Sequence, residues 1–155
     1  MSIHVYKQTI EWTGNNGNGT QTYESYSRDF NLIAENRPVL ACSADPVFRG
    51  DSSKYNPEDF LLCSVSSCHM LWFLHLCADK GINVMKYTDN PIGEMESIPG
   101  KGGRFIGITL NPTVVITDHN RVEEIEKIHE EASEKCFITN SLNFKVKLNS
   151  QYSIK

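Results

Sequence analysis

The sequence has no Cys-x-x-Cys pair, no long apolar run free of polar residues and no excess of positive charge, and each lack excludes something. Without paired cysteines, the thioredoxin-type motif and the zinc ribbon are both absent. The five cysteines, Cys42, Cys63, Cys68, Cys77 and Cys136, are odd in number and irregular in spacing. A structural disulfide framework is therefore not expected, and at least one thiol should be free. The longest apolar stretch, 60–78, is broken by Ser64, Ser66, Ser67, His69 and His75, which a bilayer span of about 20 apolar residues would not tolerate well. Fifteen basic against 19 acidic side chains give a formal net charge of −4, so the electrostatic footprint of a nucleic-acid or anionic-membrane partner is missing. The opening residues show no basic region, apolar core or small-residue cleavage site of a secretory leader, and a cytoplasmic protein is expected.

What is present is 155 residues, 39% hydrophobic and 22% charged, the makeup of a domain that buries about 70% of its unfolded surface. We expect a single domain over 1–155. Residues 3–12 alternate loosely, enter the turn-rich stretch 14–19, and read as a hairpin with 20–27 as the return strand. A third short strand is expected near 32–34. Residues 35–55, with Pro38, Pro46, Gly50 and Ser52, read as an irregular loop of a length that is often functional. Asn56 then offers a helix cap, Pro57 a first helical position, and Glu58 and Asp59 suit the positive end of the dipole. The helix should run to about Lys80, with Gly81 as left-handed terminator, and span about 36 Å. Apolar side chains on nearly every side predict burial all round, which a small monomer cannot easily provide and a partner subunit can. Strands are expected at 84–88, 95–97 and 105–117, with a hairpin loop at 99–103. A helix over 120–134 carries Val122, Ile125, Ile128 and Ala132 as its apolar stripe, the glutamates forming a wet face. Residues 143–152 alternate as a half-buried strand. Strands, a long helix, strands, a second helix and a last strand make an α+β protein.

Cys68 falls mid-helix among Ser66, Ser67 and His69. Burial alone raises a thiol's pKa and shields the sulfur, so a reactive Cys68 needs a cation to stabilise its thiolate. Arg49, in the loop ahead of the helix, is the candidate, because its planar fork can face a thiolate and a carboxylate together. Glu58 is the carboxylate that would hold it. Such a set activates a thiol toward peroxide, and apolar walls around it favour organic peroxides over hydrogen peroxide. Cys42, Cys63 and Cys77 read as core residues.

The stretch Asn56-Pro57-Glu58-Asp59-Phe60, followed by small residues and by Cys68 ten positions after Glu58, resembles the signature of the OsmC/Ohr family, thiol peroxidases that reduce organic hydroperoxides. Phe48 and Arg49 are similar to the arginine-bearing loop of the OsmC branch, and Cys136, ending the second helix, is similar in place to that family's second cysteine. The resemblance implies a peroxidatic Cys68, a resolving Cys136 that forms an intramolecular disulfide with it, and Arg49 with Glu58 as the thiolate-stabilising pair. It further implies β-sheets wrapped around long central helices in an intertwined homodimer, no cofactor, and re-reduction by a dithiol of the lipoyl or another small type. Phe137 stands where members often have proline, and His69 where a bulky apolar residue is common.

Two other readings use the same helix. A non-catalytic protein on this fold would hold a small apolar ligand in a pocket lined by Met70, Trp72 and Phe73. A metal site would draw on Cys68, His75 and His69, the first two lying on one helix face. For both histidines the competing reading is a hydrogen-bonded core or interface residue.

Overall fold

The computed structural model describes residues 2–155, with His119 described by its backbone only. They fall into two compact units, one ending at Phe60 and one over Leu61–Lys155. In the first, β1 (Thr9–Trp12), β2 (Phe30–Ile33) and β3 (Leu40–Cys42) form an antiparallel sheet in that order. The return strand expected at 20–27 is not a strand, and β1 pairs with β2 instead, from Thr9↔Ile33 to Trp12↔Phe30. The cause is Arg28. Its guanidinium lies 4.0 and 4.2 Å from the ring centres of Tyr23 and Tyr26 and donates to their carbonyls at 2.7 and 2.6 Å. Carbonyls bonded to a side chain are drawn away from the geometry a ladder needs. The 35–55 stretch, expected to be irregular throughout, contains β3 and a 3-10 turn at Pro46–Phe48.

Helix α1 (Pro57–Asp79) starts where the sequence predicts. Asn56 Oδ1 accepts from the Asp59 N–H at 2.8 Å while Asp59 Oδ2 accepts from the Asn56 N–H at 3.0 Å, a reciprocal cap that satisfies two end donors. Beyond its end Gly81 takes φ +67°, a conformation that side chains resist.

The second unit holds most of α1, two mixed sheets and α2 (Val122–Lys135). One sheet is β4 (Val84–Asp89), β7 (Pro112–Ile116) and β9 (Gln151–Ile154); the other is β5 (Ile92–Ile98), β6 (Gly102–Leu110) and β8 (Val146–Leu148). In each, the middle strand pairs antiparallel with the earlier strand and parallel with the later one. The run expected as one strand over 105–117 is therefore two. Pro112 has no N–H to donate, and Asn111 gives its N–H to Asp89 Oδ1 at 2.7 Å and its side-chain amide to Asn90 O at 2.9 Å. The strand expected over 143–152 splits opposite this break, where Asn149 Nδ2 donates to Asn111 Oδ1 at 3.2 Å.

One apolar cluster joins Phe73, Leu76 and Cys77 of α1 to Val114 and Ile116 of β7 and to Ile125, Ile128 and Ala132 of α2. Another joins Val65 of α1 to Ile108 and Leu110 of β6, with Ile138 and Phe144 packed on it. In the single chain α1 is not buried all round. Val65, His69, Phe73, Leu76 and Cys77 make one buried stripe, while Leu71 is 62% exposed. By length and composition α1 is apolar enough to cross a bilayer, but its inner stripe takes part in both clusters, as a core helix does.

Candidate active site

Helices α1 and α2 bring the two signature cysteines together. Cys68 is half-buried on α1, and Cys136, the residue on which α2 ends, is fully buried. All five cysteines are free thiols. Burial pushes the Cys68 thiol above its ordinary value, the adjoining Cys136 sulfur adds to this by hydrogen bond and repulsion, and the backbone N–H groups of Ile138 and Phe137 pull the other way. At Cys136 the backbone turns extended, at φ −69° and ψ 110°, and Thr139–Ser141 then coil into a 3-10 turn. Within this bend Thr139 directs two donors at Cys136 Sγ, its N–H at 3.4 Å and its Oγ1–H at 3.2 Å. Sequence reasoning missed Thr139. Its one signal is a hydroxyl three residues after a helix-ending cysteine, a spacing at which a side chain can reach back across a turn.

Trp72, one helical turn beyond Cys68, packs edge-on against Phe137 with ring centres 5.9 Å apart, and Lys135 Nζ lies 5.7 Å from the Trp72 ring. Phe137 is 70% exposed, so the two rings make an aromatic rim beside the cysteines. Leu71, Trp72 and His75 line a depression of about 200 Å³. The pocket expected from Met70, Trp72 and Phe73 is corrected here: Phe73 is fully buried and stacks on His129, ring centres 4.0 Å apart. Helical spacing puts it on the inner stripe with His69 and Leu76.

His69 also turns into the core. Its Nε2 lies 2.9 Å from His129 Nδ1, and its Nδ1 lies 3.3 Å from Ser133 Oγ. Burial holds His69 down to about 4, against the pull of Asp89, and holds His129 down to about 3, with repulsion from His69 added. Both rings are neutral at pH 7, one nitrogen of the pair donating and the other accepting. Tyr87 Oη and His129 Nε2 are buried without a hydrogen-bond partner among the described residues. His75 is exposed and faces Asp79 Oδ2 at 3.4 Å. Cys68, His69 and His75 do not converge, and among the described residues no three His, Cys, Asp or Glu side chains are grouped to hold a metal ion. Cys42 and Cys77 are buried as expected, burial raising Cys77 to about 11. Cys63, expected in the core, is exposed, because it lies off the stripe that Val65 and His69 define.

Arg49 and Glu58 belong to the first unit. Arg49 closes the Pro46–Phe48 turn at φ +67°, its N–H bonded to Pro46 O at 2.9 Å, while the Asp45 side chain accepts from the Val47 N–H at 2.8 Å. A left-handed backbone at a residue other than glycine costs about 1–2 kcal/mol, and such positions gather at functional sites. The guanidinium stands 5.9 Å from the Tyr23 ring centre, and Tyr23 Oη donates to Phe48 O at 3.3 Å. Glu58 lies in the first turn of α1. Among the described residues of this unit, the ion pairs run from Lys54 to Asp29 and Asp51, at 2.9 and 3.3 Å, and include neither Arg49 nor Glu58.

Two three-stranded mixed sheets packed with a long helix that carries one of two neighbouring cysteines define an α+β protein of the OsmC/Ohr fold. The chain belongs to the OsmC-like protein family, whose pattern matches residues 50–151. An OsmC-like protein of unknown function from Vibrio cholerae is similar at 28% identity and TM-score 0.85, over 96% of this chain and 99% of its own. An organic hydroperoxide resistance protein OsmC from Legionella pneumophila is 19% identical, with TM-score 0.68 over 96% and 99% of the two chains. One from Elizabethkingia anophelis is 17% identical, with TM-score 0.71 over 97% and 99%. These last two share the fold. No curated protein matches the chain.

Proposed function

We propose that this protein is a cysteine-based peroxidase that reduces organic hydroperoxides to alcohols as part of an oxidative-stress response in the cytoplasm. The observation that carries this reading is the juxtaposition of Cys68, on α1, with Cys136, at the end of α2, near enough that the second sulfur raises the pKa of the first thiol. Two structural relatives are described as organic hydroperoxide resistance proteins, which supports the substrate class.

In this mechanism the Cys68 thiolate attacks the distal peroxide oxygen. The O–O bond breaks, the alkoxide leaves and takes a proton to become the alcohol, and Cys68 becomes a sulfenic acid. Cys136 then attacks the Cys68 sulfur, water leaves, and the disulfide forms. A dithiol, of the lipoyl or another small type, restores both thiols and is itself oxidised to a disulfide. Because burial favours the neutral Cys68 thiol, the chemistry requires a cation, and Arg49 is assigned that part, with Glu58 to hold it. The Trp72 and Phe137 rim favours an organic substituent over water. The apolar side of α1 left open in one chain is assigned to a homodimer contact.

The test is consumption of cumene hydroperoxide and of hydrogen peroxide with a dithiol donor. Wild type should turn over the organic substrate faster. Cys68→Ser should abolish turnover, whereas Cys136→Ser should complete one oxidation and leave a sulfenic acid that dimedone traps. Undiminished turnover by Cys68→Ser would overturn the mechanism.

A further inference from the structure

We propose that Thr139 holds Cys136 as the departing thiolate when the Cys68–Cys136 disulfide is reduced, so that the reductant bonds to Cys68 and not to Cys136. The proposal rests on the reading above in taking that disulfide as the oxidised state.

Thiol–disulfide exchange is directional: one sulfur is attacked, and the other leaves with the electron pair, faster where its charge is better held. Here the two sulfurs are unequal in both respects. Cys136 is 0% exposed and Cys68 only half-buried, so an entering thiolate reaches Cys68. Both Thr139 donors, N–H at 3.4 Å and Oγ1–H at 3.2 Å, address Cys136 Sγ, so charge is received there. The donors also answer a local difficulty. Cys136 sits at the carboxyl end of α2, where the unpaired carbonyls of the last turn disfavour a negative charge. A hydroxyl and an amide pointing at the sulfur from the following turn offset that field.

A thiolate of the dithiol attacks Cys68 Sγ, the Cys68–Cys136 bond breaks, and its electron pair departs on Cys136 Sγ. The reductant's second thiol, as thiolate, attacks its own sulfur in the mixed disulfide, closes its ring and releases Cys68. One dithiol is oxidised, one protein disulfide is reduced, and the reductant's two protons end on the two cysteines.

The experiment prepares the disulfide with diamide, so that it needs no peroxidase activity. A monothiol, 2-mercaptoethanol, is added, the free thiol is alkylated with iodoacetamide, and the adduct is placed by peptide mass spectrometry. Reduction by dihydrolipoamide is followed by stopped flow in wild type, Thr139→Val and Thr139→Ser. The adduct is expected on Cys68 and the alkyl group on Cys136. Thr139→Val should slow reduction about tenfold, as loss of one hydrogen bond to a charged group does, and should slow disulfide formation by diamide less, because a smaller thiolate fraction is partly offset by a more nucleophilic sulfur. Thr139→Ser, which keeps the hydroxyl, should restore most of the rate. An adduct on Cys136 overturns the proposal, as does an unchanged reduction rate in Thr139→Val. Equal slowing of both half-reactions would also overturn it, since that marks a loosened turn. Failure of diamide to join Cys68 and Cys136 removes its basis. A protein that shows the expected exchange pattern yet leaves cumene hydroperoxide unconsumed refutes the peroxidase reading alone.

Discussion

His69 and His129 place two imidazoles where an aliphatic pair would fit, and the pair makes stability depend on pH. In the unfolded chain both rings take up protons as pH falls through about 6.5, whereas in the fold they stay neutral to about 4 and about 3. Protons therefore favour the unfolded chain over that window. Stability should be insensitive to this pair above pH 6.5 and fall below it, by about 1.4 kcal/mol per pH unit for each ring. Asp89, whose charge favours protonated His69, softens the effect, while Ser133, Phe73 and Tyr87 bring no charge to the pair at these pH values. Urea midpoints at pH 7.5, 6 and 5 test this, and a wild-type profile no steeper than that of a His69→Phe, His129→Leu double variant would refute it. At pH 7 His129→Leu alone should cost about 1–3 kcal/mol, because a nitrogen of His69 is left buried and unpaired. The sequence shows His69 as a polar residue in an apolar helix but hides its partner, since nothing local links positions on two helices. Thr139 was hidden for a related reason: its meaning comes from the bend after Cys136, and Cys136 itself was found through family resemblance.

At the level of elements, legibility follows how local the cause is. The start of α1 is written in Asn56, Pro57 and Asp59, and its end in Gly81, all within a few residues of the boundary. Asn56→Ala should cost about 1 kcal/mol by removing the cap, and Gly81→Ala about 1–2 kcal/mol by forcing a side chain into the left-handed region, both read as shifts in urea midpoint. No change in either would mean that the helix ends are set by packing. Strands are less legible, because a strand is defined by a partner elsewhere. Tyr23 and Tyr26 look like β formers until Arg28 claims their carbonyls. The 105–117 run looks continuous unless Pro112 is weighed together with Asn111, whose hydrogen bonds lead to Asp89 and Asn90.

For the molecule as a whole, the surplus of apolar residues on α1 is the clearest message of the sequence. One chain buries a single stripe of that helix and leaves its Leu71 62% exposed, and Phe137, just past the end of α2, is 70% exposed. An open apolar face of this kind marks an association surface, in line with the homodimer proposed above. Sedimentation equilibrium should find a dimer at micromolar concentration, and Leu71→Glu should shift it toward monomer by burying an unpaired charge. A wild-type monomer would refute the assignment. The α+β class is legible from the order of elements, whereas the two parallel pairings are not, since they join segments on either side of α2.

Those pairings bear on how the protein is made. β8 joins β6, and β9 joins β7, both in parallel and both from beyond α2. A ribosome that has yet to deliver residues 146–154 thus carries a nascent chain with two sheets open at one side, each edge lined by residues such as Ile108 and Val114 that the finished fold buries. Unpaired edges invite wrong partners, and long-range parallel pairing is slow to form. The interval between emergence of β7 and emergence of β9 is therefore a period in which these edges stand open to wrong pairing.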